Sequence, residues 1–98
     1  MSEVEPEFLA RMARKYIWWK RAPDAVARPD RVIAQVMDIG EWRDVMVLAE
    51  QAGDARLADV LANAEIGQFT PRSWAYWHYR LGRAPAEAPP PMPKRRVG

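Results

Sequence analysis

Residues 70–82 hold two of the five tryptophans, two of the three tyrosines and the single histidine of this chain. The same stretch carries the local chemistry of a complete short helix. Thr70 is a suitable N-cap, Pro71 fits the first helical position, and Gly82 fits the left-handed residue that closes a helix. At about 100° per residue, Trp74, Trp77, His78 and Leu81 share one stripe. Arg72, Tyr76, Tyr79 and Arg83 gather on the opposite side, with Arg80 beside them. This helix is therefore expected to anchor a small core with one face and to offer a recognition surface with the other.

Upstream, proline and glycine divide the chain into further short helices. A first helix is expected from about Pro6 to Trp19, with Phe8, Leu9, Met12, Tyr16 and Trp19 on one arc and Trp18 pointing away from it. A second starts at Pro29, closes at Gly40 and buries Val32, Ile33, Val36 and Ile39. A third, from Glu41 to about Ala52, has a broad apolar arc of Trp42, Val45, Met46, Leu48 and Ala49. That breadth makes it the expected central helix. A fourth, capped by Asp54, buries Leu57, Val60, Leu61 and Ala64. No convincing alternating strand and no internal repeat is present. The expected fold class is all-α, a small bundle of four to five short helices over residues 1–83. Residues 84–98 read as a disordered, Pro-rich basic tail with polyproline character.

The helical part is near the lower size at which one core suffices, so a partner or self-association would support it. With no cysteine among the 98 residues, disulfides and thiolate metal sites are excluded. No apolar run approaches the roughly 20 residues that span a bilayer. Met1 to Glu7 is acidic and lacks the pattern of a secretory signal. The expected location is the cytoplasm, with no membrane contact.

The net charge is +2, unevenly spread. Residues 11–31 are basic, residues 32–66 are acidic and the end is basic again, which implies a polarised surface and an acidic partner. No catalytic constellation stands out. Ser73 and His78, five apart on a helix, face different ways and make a poor nucleophile–base pair. His78 lacks carboxylates at helical spacing and reads as a core or rim histidine. Asp38, Glu41 and Asp44 have no cation-loop spacing and read as caps and solvated faces. The chain is thus expected to be no enzyme and to need no metal or cofactor.

Trp19, Trp42, Trp74 and Trp77 each lie on an apolar stripe and are expected in the core. Trp18, Arg72, Tyr76, Tyr79, Arg80 and Arg83 are the expected partner-binding residues, because arginine and large aromatics dominate interface energetics. The same residue types suit phosphate contact and base stacking. The alternative reading is therefore a nucleic-acid-binding transcriptional regulator that uses basic residues 11–31 and the tail.

Several runs carry a resemblance: Tyr16-Ile17-Trp18-Trp19; Pro29 to Asp44, with Gly40-Glu41-Trp42-Arg43-Asp44 at its end; Gly53-Asp54-Ala55-Arg56-Leu57; and Pro71-Arg72-Ser73-Trp74 followed by Trp77 to Gly82. In order and spacing over residues 16–82 they resemble small bacterial antitoxin-like proteins encoded beside nucleotidyltransferase toxins of the abortive-infection type. The resemblance implies a non-enzymatic module that binds such a toxin directly and neutralises it. It transfers no functional residues, and the first helix and the tail lie outside it.

Overall fold

The computed structural model describes residues 4–17, 28–85 and 87–93. Four helices make up the regular structure: α1 (Pro6–Tyr16), α2 (Pro29–Ile39), α3 (Trp42–Ala62) and α4 (Pro71–Arg80). There is no strand among the described residues. The all-α bundle is as the periodicity predicts. Trp18 and Trp19 lie outside the described residues, as do the basic residues Lys20, Arg21 and 94–96.

Proline opens three of the four helices, at Pro6, Pro29 and Pro71. Its fixed φ suits the first turn, and its missing N–H is one that the first turn cannot use anyway. The expected boundary at Gly53 is also present, as a break rather than a loop. Gly53 has φ 78° and ψ 160°, and two helical arms meet there end to end within α3. That backbone region is open to glycine and strained for any residue with a Cβ. Gly53→Ala is therefore expected to lower the urea midpoint, by about 1–3 kcal/mol in unfolding free energy. In an unbroken helix the same change would stabilise by up to about 1 kcal/mol, so the sign of the shift tests the break. Gly40 serves differently. Its backbone is ordinary and extended, but a Cβ there would stand 2.3 Å from the Val36 carbonyl oxygen.

The central helix is α2, not α3 as the breadth of the apolar arc predicts. α2 packs against α1, α3 and α4. It therefore buries residues around more than half its circumference: Val32, Ile33, Ala34, Val36 and Met37. Ile39 was expected inside but is exposed, since it falls just beyond that arc at the helix end. In α3 the buried side is narrower than expected and is centred on Val45, Leu48 and Ala52. At about 100° per residue, Trp42 lies some 90° from that centre and Met46 about 130°. Both are exposed, Trp42 at 65 % and Met46 at 51 %, which corrects their expected place in the core. The core itself is built on Ile33, Leu48, Leu57, Leu61, Val32, Val36 and Trp77, with Phe8, Leu9, Met12 and Tyr16 from α1.

Candidate functional site

The N-terminus of α4 is held twice. The Thr70 hydroxyl accepts the Ser73 N–H at 3.3 Å, the expected N-cap. Asp38, near the end of α2, adds an inter-helical cap: its carboxylate accepts the Thr70 N–H at 2.9 Å and the hydroxyls of Thr70 and Ser73. An acidic group at a helix N-terminus also meets the favourable end of the helix dipole. The other end of the α2–α4 contact is fixed by Trp77. Its indole N–H donates to the Met37 carbonyl at 2.8 Å, and that carbonyl is one of the last four of α2, with no partner inside its own helix.

These locks orient the whole of α4. Trp74, Trp77 and His78 point inward, as the stripe predicts. The His78 Nδ1–H donates to the Trp74 carbonyl at 2.8 Å, and its ring lies 4.3 Å from the Trp74 ring. Ser73 is committed to Asp38 and His78 to Trp74, so both side chains of the nucleophile–base pair are engaged elsewhere. Among the described residues no three His, Asp or Glu side chains are grouped to hold a metal ion.

On the outer face, Arg80 is the organising residue. Its guanidinium carbon lies 4.8 Å from the Trp77 ring centroid and 6.0 Å from those of Tyr76 and Trp42. Nη1 also donates to the Tyr76 hydroxyl at 3.2 Å. Tyr76 stands edge-on to Trp77, with centroids 5.3 Å apart. A planar cation held over aromatic faces is attracted by their quadrupoles, and its rotamer freedom is reduced before any partner arrives. Trp42, at the start of α3, completes this cluster from the neighbouring helix. Sequence reasoning missed it because an apolar residue on an apolar arc looks like core. The available signal was its place at the helix start, about 90° from the mean of Val45, Leu48 and Ala52.

Beyond Trp42 the surface continues into an open groove of 760 Å³ between α1 and α3, bordered by Phe8, Arg11, Lys15, Arg43 and Val47. The groove floor is held by a polar cluster. The Tyr16 hydroxyl accepts the Glu41 N–H at 2.9 Å and donates to Asp44. Lys15 bonds Asp44 at 2.8 Å and Glu41 at 3.1 Å. Burial pushes the Asp44 carboxyl upward, but the hydrogen bonds from Lys15 and Tyr16 outweigh it and hold the carboxyl below its ordinary range. Burial, and then the bond to Asp44, raises the Tyr16 hydroxyl. The bonds to Asp44 and then Glu41 raise the Lys15 ammonium.

A pH dependence follows from these shifts. The stability due to Asp44 is present above the ordinary carboxylate pKa of about 4 and is lost as pH falls through its lower folded value. The stability due to Tyr16 and Lys15 is present below about pH 10 and is lost as pH rises through their higher folded values. Asp44→Asn should therefore flatten the acid limb of a plot of urea midpoint against pH. An acid limb unchanged by that substitution would mean that Asp44 is uncoupled from folding.

The partner-binding residues expected from sequence are divided by the fold. Tyr76 and Arg80 belong to the cluster, and Tyr79 is exposed at 62 % on the same helix. Arg72 shares a shallow recess with Asp38, Ser73 and Tyr76. Arg83 is set apart, because the chain leaves the helix after Arg80 and carries it to a recess beside His78 and Asp59. Trp18 lies outside the described residues.

No protein-family model matches the chain, and neither the curated proteins nor the solved structures contain a significant match to it.

Proposed function

We propose that this chain is a protein-binding module that docks its partner on the surface centred on Trp42, Tyr76 and Arg80. The observation that carries the reading is the stacking of Arg80 against three aromatic rings, two of them substantially exposed. Tryptophan, tyrosine and arginine are the residues that most often dominate binding energy, and here they are grouped and pre-oriented. Arg72 and Tyr79 flank the centre, and Arg11 and Arg43 extend it with positive charge that suits an acidic partner. Trp18 and Arg83 remain further contacts in this proposal.

The partner in this reading is the one that the sequence resemblance implies: a nucleotidyltransferase toxin, bound directly and held inactive in the bacterial cytoplasm. The nucleic-acid alternative is weaker. Two of the basic residues it requires are already engaged, Lys15 with Asp44 and Glu41, and Arg31 with Glu65.

The test is co-expression of the tagged chain with the product of the neighbouring gene. Capture of a nucleotidyltransferase together with relief of its toxicity is the expected result. If toxicity is unchanged and nothing is captured, the antitoxin reading fails. A steep loss of duplex binding with rising salt would then be the mark of the alternative.

A further inference from the structure

Trp74 has a hydrogen-bond donor that the helical bundle does not satisfy. The Trp77 indole is answered by α2, but the Trp74 indole N–H donates at 2.8 Å to the carbonyl of Pro90, in the Pro-rich segment. Residues 88–93 have no regular secondary structure, but the disordered tail expected over 84–98 does not include them. They are seated: Met92 packs against the core cluster, and Trp74 is only 6 % exposed beneath the segment. Phe69 stands beside Trp74, with ring centroids 5.8 Å apart.

The chemistry is that of polyproline recognition. Successive prolines have no N–H to give, so an extended run presents carbonyl acceptors without internal hydrogen bonds. An indole offers a donor and a flat apolar face together. Aromatic-lined grooves use this pairing to hold proline-rich ligands, which lose little conformational entropy on binding.

We propose that the Trp74 face is a recognition groove for a proline-rich extended segment of a partner protein, covered in the free chain by its own Pro89–Pro90–Pro91–Met92 run. The covering run is tethered through a short linker to the end of α4, so it competes at an effective concentration in the millimolar range. A partner segment enters by displacing it.

The test uses the full chain and a synthetic peptide of residues 87–93 as the probe. The readout is the assigned Trp74 indole N–H resonance. A variant carrying P89S, P90S, P91S and M92S opens the groove in place. In that variant the Trp74 resonance should leave its wild-type position, and the added peptide should return it. Wild-type protein should need at least about tenfold more peptide for half-saturation, because its own segment competes. The proposal is overturned if the four substitutions leave the resonance where it was, if millimolar peptide fails to restore it, or if a peptide with serine in place of all four of its prolines restores it equally well. Trp74→Phe, which keeps a ring and removes the donor along with its own resonance, should weaken peptide binding at least tenfold when made in the opened variant, read there from the backbone amide shifts of α4. Triple-resonance assignment in the opened variant keeps the main test independent of whether the phenylalanine variant folds.

Discussion

Trp77→Ala is expected to remove most of the stability of the fold and to move the urea midpoint far below that of the wild type. Trp77 is 1 % exposed and is among the largest fully buried side chains. Removing such a ring costs about 3–5 kcal/mol in lost burial and residual cavity. The substitution also strips the Met37 carbonyl of its partner, a further 1–3 kcal/mol or so for a buried acceptor left unmade. A domain this small holds roughly 5–10 kcal/mol in total, so the two losses together take most of it. Trp77→Phe separates the two contributions, because it keeps an aromatic ring and loses the donor. Its midpoint should lie between those of the wild type and the alanine variant in urea denaturation followed by far-UV circular dichroism. A Trp77→Ala protein with a near-wild-type midpoint would mean that α4 does not pack on α2 as described.

Trp42→Ala should do the opposite: leave folding almost untouched and weaken partner binding. At 65 % exposure the ring contributes little burial to the folded chain, and exposed substitutions usually change stability by no more than about 0.5 kcal/mol. If Trp42 is an anchor, truncating it costs at least about 2 kcal/mol of binding, or roughly thirtyfold in affinity. Arg80→Lys is the informative companion. It preserves the charge but removes the planar group that spans Trp42, Tyr76 and Trp77, and it should weaken capture in the same direction. Titration against the captured partner, alongside a thermal melt, gives both quantities. Unaltered affinity in the Trp42→Ala, Arg80→Ala double variant would remove this surface from the function.

The two predictions concern residues that look alike in the sequence. Both are tryptophans on apolar helical stripes, and only the fold separates them. Trp77 lies on a stripe with Trp74 and His78, whose centre faces α2. Trp42 sits at the edge of its arc and stays largely exposed, with the Arg80 guanidinium of α4 placed against its ring. A similar ambiguity concealed the order of packing. Five buried residues on α2 follow from its three neighbours, whereas the wide arc of α3 suggested a central position that it does not hold. The cluster around Arg80 was half legible: Tyr76 and Arg80 share a helix face at a spacing of four, but their third exposed member comes from another helix.

Local chemistry alone determined where three of the helices begin and where α3 breaks, although α1 ends at Tyr16, short of the expected Trp19. Proline at the first turn, the Thr70 cap and the positive-φ glycine at the break each act within a few residues, so they can be read without knowing the fold. The inward stripe of α4 is equally local. Which apolar residues stay outside, which helix lies in the middle and where the Trp74 indole finds its acceptor were decided by tertiary structure. Periodicity marks the direction of a face but not the width of what covers it. A donor such as the Trp74 indole can be satisfied by a segment 16 residues away that carries no periodic signal at all.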